Sequence, residues 1–448
     1  MHSYLPHTKE DIKSMLDELN LNNINELFND VDNNLKLKNT LDLPNRKSES
    51  ELLKHIKQIG DKNRTTGDIL SFTGGGVYDH LVPEIVNNLL SRSEFYTSYT
   101  PYQPEISQGT LQAIFEYQSM ICELTGMDVS NASHYDGATA AAESALMACG
   151  ATKRKKVIVS MSVNPQIRKV IKTYLTYKNI ELIEIEDKAG VTDLEILNRK
   201  ADKTVACVLV QSPNYFGILE DFTEVEKVIH QNKGLFITYS NPIALAVIKS
   251  PRQWGADIAV GEGQMLGNSL NYGGPYLGFM ASTKKLMRKL PGRIVGQTKD
   301  LEGVRSFVLT LQAREQHIRR DKATSNITSN QGLNALATTI YLATLGKVGL
   351  KEVALRSMAN AKYIVDEITK DSKYELAFSK PFFNEFVIKT PDSKQVIQKL
   401  YENNIIPGID IGNDYRKYEN NILIASTEKH NKSDLDMLNS SMREKVMM

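Results

Sequence analysis

Apolar residues near the amino terminus recur at helical spacing: Ile12, Met15, Leu16 and Leu19 follow Thr8 and Asp11, a pair spaced as in a capping box. A second amphipathic piece spans Glu49 to Ile59, beyond the Asn-rich stretch Asn20 to Asn34. Residues 1–65 therefore read as a helical arm that either wraps another surface or packs as a small subdomain on its own chain. Leu111, Ile114, Phe115, Ile121 and Leu124 predict a helix with Gly126 as its C′ glycine. An alanine-rich helix follows from Asp136-Gly137 to Gly150. From Val157 the pattern changes to short apolar runs, Val157–Ser160, Ile180–Ile185, Val205–Val210, Leu235–Tyr239 and Ile258–Val260. Helical patterns at Pro165–Lys178, Leu194–Arg199 and Phe222–Gln231 separate them. Buried strands alternating with helices predict an α/β fold with a mostly parallel sheet covered on both faces, over residues 66–333. Beyond Asn334 come a long helix to about Lys370, the segments Glu385–Lys389, Ser393–Asn403 and Asn421–Ala425, and a terminal helix from Ser433. These predict a smaller α+β domain over residues 334–448.

Composition narrows the classes. A chain of 448 residues with 41% hydrophobic and 24% charged side chains can bury a large core. Its 54 basic and 53 acidic groups give a formal charge of +1, so no global field favours nucleic acid or an anionic membrane. Cys122, Cys149 and Cys207 are odd in number and sit in apolar stretches, which reads as free buried thiols in a reducing compartment. No signal peptide and no apolar run of membrane-spanning length is present, so a cytoplasmic location is expected. The eight histidines lack metal-ligand spacing and no metal is expected.

Several familiar motifs are near misses. Gly261-Glu-Gly263-Gln-Met-Leu-Gly267 follows a strand, but its last glycine is one residue late for a dinucleotide fingerprint and no acid follows until Asp300. Thr73-Gly-Gly-Gly-Val77 lacks the Gly-Lys-Ser/Thr of a P-loop. The stretch from Asp257 to Thr283 has the look of the strand, turn and strand where a pyridoxal-phosphate (PLP) enzyme carries its Schiff-base lysine, yet no lysine occurs in it before Lys284. Gln264 stands in the turn, and a carboxamide cannot form an imine. Ser240 and Asn241 end the run where an aspartate would face the pyridine nitrogen, and neither supplies that charge. Asp136 opens a helix whose N–H groups could hold a phosphate, but as its N-cap it brings a carboxylate instead. Gln211-Ser-Pro-Asn214-Tyr-Phe-Gly217 after a buried strand is either a ligand-side loop or an ordinary turn. The glycine loop Gly74 to Gly76, the aromatic segment Tyr99 to Glu105, and the charged run Arg314 to Lys322 with its polar sequel are candidate interface segments. A run of charge on a helix can equally be a solvated face.

These residues together resemble the P-protein family of the glycine cleavage system, the PLP-dependent glycine decarboxylase, and within it the amino-terminal half or α subunit (subunit 1). The resemblance covers nearly the whole chain. It is carried by Tyr99-Thr-Pro-Tyr-Gln-Pro-Glu-Ile-Ser-Gln-Gly-Thr-Leu-Gln112, Tyr135-Asp-Gly-Ala-Thr-Ala140, Tyr272-Gly-Gly-Pro275, Gly292-Arg-Ile-Val-Gly-Gln297, and Arg314-Glu-Gln-His-Ile-Arg-Arg320 through Ala323-Thr-Ser-Asn-Ile327. It implies an aminotransferase-like fold of type I, an αβ pair or a dimer of pairs, and PLP bound by the β subunit (subunit 2) near the interface. Gln264 would then stand at the vacated lysine position, Ser240 or Asn241 near the lost pyridine partner, and Asp136 at a degraded phosphate cup, leaving no catalytic residue in this chain. The implied reaction of the complex is decarboxylation of glycine and transfer of the aminomethyl group to lipoyl H-protein, in a system that also contains T and L proteins. It is classed as an oxidoreductase, although no nicotinamide is consumed at this step. Gly74, Gly75, Gly76, Tyr99, Pro101, Tyr102, Gln103, Glu105, Arg314, His317, Arg319, Arg320, Thr324, Ser325 and Asn326 are the residues expected to reach across the interface. Two alternatives are a self-sufficient PLP enzyme using Lys284 or Lys285, and a non-catalytic scaffold.

Overall fold

In the computed structural model, which describes residues 4–39, 41–65, 67–96, 100–271, 274, 276–323, 325, 327 and 331–443, the amino-terminal capping signals are formed. The Asp11 amide donates to Thr8 Oγ1 at 3.1 Å and the Thr8 amide to the Asp11 carboxylate at 2.7 Å, opening helix α1 (Lys9–Glu18). Ser48 and Glu51 repeat the arrangement at helix α2 (Glu49–Gly60). Neither helix contains a buried residue. Both belong to one compact unit, Met1–Arg64; a second unit spans Thr65–Met448.

The second unit is built on a seven-stranded sheet. Its strands are β1 (Val129–Ser130), β2 (Lys156–Ser160), β3 (Glu181–Ile185), β4 (Val205–Ser212), β5 (Leu235–Ser240), β6 (Ile258–Glu262) and β7 (Gly278–Ser282), in the order β1-β7-β6-β5-β4-β2-β3. Strands β6, β5, β4, β2 and β3 are parallel, while β7 runs antiparallel to both its neighbours. Every residue of β4 is buried, which its uninterrupted apolar run required, because helices cover both faces. Helices α3 (Gln108–Thr125), α4 (Gly137–Thr152), α5 (Pro165–Thr176), α6 (Leu194–Lys200) and α7 (Thr223–Gln231) supply that cover. On one face Ala140, Ala141, Ala145 and Ala148 bring α4 against Val159, Leu209, Ile237 and Val260. On the other, Tyr117, Ile121, Leu197, Phe222 and Ile229 pack on Val208, Val210 and Phe236. The three cysteines are free, and burial pushes the Cys149 thiol up to about 11 and Cys122 to about 12.

A hairpin of β8 (Ile294–Lys299) and β9 (Arg305–Thr310), absent from the sequence reading, follows. The charged run after it does not form one helix. It folds as short turns, Gln312–Arg314, Gln316–Arg319 and Arg320–Lys322, with Leu311 and Arg320 at positive φ. Helix α8 (Gly332–Ile368) is broken at Gly346, where φ is 59°. Before the break Ala337 and Tyr341 pack with Met265 and Leu266; after it Ala361, Ile364 and Ile368 join the core of an antiparallel sheet. That sheet centres on β10 (Glu385–Lys389) and β11 (Asn421–Ala425), with helices α9 (Ser393–Glu402) and α10 (Lys432–Arg443) beside it. Phe72 lies in the same core, and Leu70–Ser71 pairs in parallel with Ile405–Ile406. Residues 70–72 are thus built into carboxy-terminal structure from more than 300 positions away.

Candidate functional site

Ligands of open α/β sheets bind beyond the carboxyl ends of the parallel strands. At the end of β6 stand Glu262 and Gln264, both buried. The Gln264 carboxamide accepts from the Tyr78 amide at 3.0 Å and donates to the Tyr78 carbonyl at 3.1 Å and the Asn268 carbonyl at 2.7 Å. One side chain thus satisfies both backbone groups of a residue 186 positions away in sequence, and both of its own N–H bonds are committed to the chain. The same Tyr78 donates its hydroxyl to Glu385 at 2.8 Å, and the Gly75 amide donates to the other oxygen of Glu385 at 2.6 Å. A hydrogen-bonded chain therefore runs from the end of β6 to β10 of the carboxy-terminal sheet. Burial pushes the Glu385 carboxyl up to about 7, against the pull of the Gly75 and Tyr78 donors.

The amino end of α4 is already furnished with negative charge. Asp136 accepts from the Thr139 amide at 2.7 Å as N-cap, and Glu262 accepts from the Gly137 amide at 2.9 Å. Glu262 also accepts from the amides of Gln264 at 2.9 Å and Leu277 at 3.0 Å. Burial, with a smaller contribution from Asp136, pushes its carboxyl up to about 7, while the three amides pull it down. A phosphate dianion placed on this helix end would meet two carboxylates on the N–H groups it needs, in a buried setting where like charges are costly. Asn241 uses its side-chain oxygen to accept from Ile243 at 2.9 Å and Ala244 at 3.2 Å, and Ser240 is buried beside it. The residues present do not fit PLP: no amine, no carboxylate at the end of β5, and a cup filled from within.

Lys284 and Lys285 do not repair this. Ser282 pairs with Ile258 and Gly278 with Glu262, so the two lysines follow the strand end opposite Gln264, exposed in a short helix Lys284–Lys289. The turn from Gln211 to Gly217 is structural. Gln211 accepts from the Asn164 amide at 2.9 Å, Asn214 donates to Glu220 at 2.7 Å, and a Cβ on Gly217, at φ 81°, would collide with the Glu385 backbone. The glycine loop is likewise engaged by its own chain: Gly74 is buried against Glu385 and Ala425, and the Gly75 carbonyl accepts from Asn164 at 2.5 Å.

A third region gathers the aromatic and charged segments. Arg293 lies over the Tyr102 ring at 5.5 Å and donates to its hydroxyl at 3.3 Å, and His317 meets the same ring at 5.8 Å. Arg314 is half-buried, its guanidinium donating to the carbonyls of Leu290 and Gly292, the latter at 2.7 Å, and burial lowers its pKa. With Arg288 and Lys289 these groups line a cavity of about 140 Å³ in which Glu315 is the one carboxylate among the described residues. Ser325 and Ile327 lead into a second cavity of about 610 Å³, lined also by Tyr135, Glu143, Tyr174 and Lys178. Glu143 is buried and its carboxyl pushed up by that burial, with Ser325 and Lys178 drawing it back. Pro101 is buried, whereas Gln103, Glu105, Arg319 and Arg320 are exposed. Tyr99, Thr324 and Asn326, with Tyr272, Gly273 and Pro275, lie outside the described residues. Among the described residues no group of three or more His, Cys, Asp or Glu could hold a metal, and no helix is long and apolar enough to cross a membrane.

Glu262 and Glu385 escaped the sequence reading. Glu262 was absorbed into a failed dinucleotide motif; the usable signal was a lone carboxylate ending a wholly apolar strand, a residue that must find donors there. Nothing local marks Glu385, whose donors lie 307 and 310 positions away.

A family model described as "Glycine cleavage system P-protein" matches residues 2–442. A chain of Bacillus mycoides (strain KBAB4) named "Probable glycine dehydrogenase (decarboxylating) subunit 1" is 51% identical over 444 residues, 99% of both chains. A crystal structure of glycine decarboxylase (P-protein) of the glycine cleavage system, in inhibitor-bound form, superposes with a TM-score of 0.89 at 42% identity, covering 98% of this chain and 99% of that one. The sphingosine-1-phosphate lyase of Burkholderia pseudomallei K96243 shares the fold alone, with a TM-score of 0.66 at 11% identity over 91% of this chain and 92% of that one. The fold is the type I fold of PLP-dependent enzymes, as the strand order and the single antiparallel β7 indicate.

Proposed function

The chain belongs to the glycine cleavage system P-protein family, and on that premise we propose that it is the subunit of a heteromeric glycine decarboxylase that holds no cofactor of its own. The observation that carries this is Gln264, locked to both backbone groups of Tyr78 where a cofactor-bearing chain needs a free amine. Asp136 and Glu262, occupying the amino end of α4, point the same way. In this reading the complex decarboxylates glycine and passes the aminomethyl group to lipoyl H-protein, alongside the T and L proteins. PLP, held by subunit 2, supplies the electron sink. This chain completes the cavity, excludes water and helps form the surface that meets the lipoyl arm. Tyr102, Arg314, His317, Arg319 and Ser325 are its candidate contacts, because they gather in and beside one cationic and aromatic cavity.

The test is each subunit alone and mixed. Glycine–bicarbonate exchange is expected only in the mixture, and borohydride reduction in the presence of PLP is expected to fix pyridoxyl groups on subunit 2 alone. A stoichiometric pyridoxyl-lysine on this chain, or equal exchange with and without it, overturns the reading.

A further inference from the structure

We infer that residues 73–81 are a pH-gated strap joining the two main sheets of the second unit, pinned by Glu385, and that the strap releases the end of β6 when Glu385 ionises. The strap is held from both sides. Toward the seven-stranded sheet, Gln264 takes both backbone groups of Tyr78, and Asn164 donates to the Gly75 carbonyl. Toward the carboxy-terminal sheet, the Gly75 amide and the Tyr78 hydroxyl donate to Glu385. Further along, the Leu81 amide donates to Glu428 at 2.8 Å and the Thr427 hydroxyl to the Asp79 carbonyl at 2.9 Å.

Residues 73–81 belong to no strand or helix. Single hydrogen bonds hold them in place of a ladder, so the strap can lift without unfolding either sheet. Gly75 at φ 76° and Gly76 at φ 117° give it a swivel that other residues would strain. Gly74 lets the backbone lie against Glu385, whose carboxylate a Cβ would overlap. Lifting the strap carries Tyr78 away from Gln264, so the state of Glu385 is felt at the end of β6.

Glu385 is the weak point of this arrangement. It is buried, and no cation among the described residues contributes to its titration. The titratable groups beside it are Tyr78 on the strap and Tyr215 in the turn after β4, and burial pushes both hydroxyls up, so both stay neutral. From β11 it is opposed by Ala425. The remaining charged groups lie toward the ends of the strap: His80 with Glu428 at 2.6 Å, Asp79 with Lys429 at 2.6 Å, and His430 at the Ser71 carbonyl. An ionised Glu385 keeps two donors and loses the rest of its hydration. Its carboxyl therefore lies at about 7 with the strap closed, and returns to the ordinary 4.5 when lifting the strap admits water. Closure is fully favoured below pH 4.5 and weakens as pH rises through about 7. Linkage between these two values makes opening about 10-fold more frequent at pH 8 than at pH 6.

The test is hydrogen exchange of the full chain, read by mass spectrometry on peptides covering residues 73–81 and β4 between about pH 5.5 and 8.5, each rate divided by that of an unfolded amide. Strap opening should rise about 10-fold from pH 6 to pH 8 while β4 stays protected. Glu385→Gln keeps an acceptor for the Gly75 amide and a donor for the Tyr78 hydroxyl but carries no charge, so its strap should hold the low-pH protection throughout. Tyr78→Phe removes one donor to the carboxylate and should move the rise to higher pH. Strap protection that ignores pH overturns the inference, and so does a wild-type rise persisting in Glu385→Gln, which would assign the effect to His80 or His430. A strap that exchanges only together with β4 has no opening of its own and overturns it as well. If Glu385→Gln does not fold, Tyr78→Phe decides, and an unmoved rise sinks the idea.

Discussion

Gln264 does at the residue scale what a catalytic lysine cannot: it satisfies a buried amide and a buried carbonyl at once. Gln264→Ala leaves the buried Tyr78 amide unpaired, while the Tyr78 carbonyl keeps the His80 amide at 3.1 Å, and should cost about 1–3 kcal/mol in urea denaturation. Gln264→Lys should lose as much and should still gain no visible absorbance with PLP, because Asp136 and Glu262 keep the helix end; a borohydride-fixed label on that variant would contradict this account. Glu262 makes a pH prediction. Its carboxyl lies at about 7 in the folded chain against 4.5 ordinarily, so the folded state holds the proton more tightly. The associated stability is present below pH 4.5 and lost as pH rises through about 7. Glu262→Gln should flatten the slope in that window, and should lower stability by about 1–3 kcal/mol because an amide nitrogen then faces one of the three N–H donors.

Elements show the same division between local and distant causes. The parallel strands and their helices were readable from apolar runs and caps, since each needs only its own residues and a covered sheet. The hairpin β8–β9 was not, because its strands, Ile294–Lys299 and Arg305–Thr310, carry charged and polar residues and turn at Gly303. The charged run after it, read either as an interface segment or as a solvated helix face, forms short turns, with Leu311 and Arg320 at positive φ. His230 joins two elements: it bonds Glu226 at 2.6 Å within α7 and Asp257, just before β6, at 2.8 Å. Asp257 and Glu226 raise its pKa to about 9 from 6.5. Its contribution is therefore full below pH 6.5 and lost as pH rises through about 9, so thermal melts of His230→Ala should show a shallower decline across that window than wild type. At the turn that receives β10, Gly217→Ala should cost more than about 3 kcal/mol, because its backbone is left-handed and a Cβ meets the Glu385 carbonyl.

For the whole molecule, the proposed function makes the chain's chemistry a matter of assembly. Its open polar face gathers Arg288, Lys289, Arg293 and Arg314 around Tyr102, although the formal charge of the chain is only +1. These four cations line one cavity, a local cluster of charge of the kind that can steer an anionic partner surface. Arg319 is exposed beside that cavity, and its side chain has no partner among the described residues. Arg319→Ala should leave the free chain within about 0.5 kcal/mol of wild type. It should slow association with subunit 2 by about 3- to 10-fold, more at low salt, in stopped-flow mixing.

The order of residues alone determined the α/β class, most strand and helix positions and the absence of an amine between Asp257 and Lys284, because these depend on composition and on spacing along one element. Tertiary structure alone decided what fills the resulting space. Tyr78, Glu262 and Glu385 come together from positions hundreds of residues apart, and a buried polar group is held by whichever donor the fold brings within reach, which no local pattern specifies.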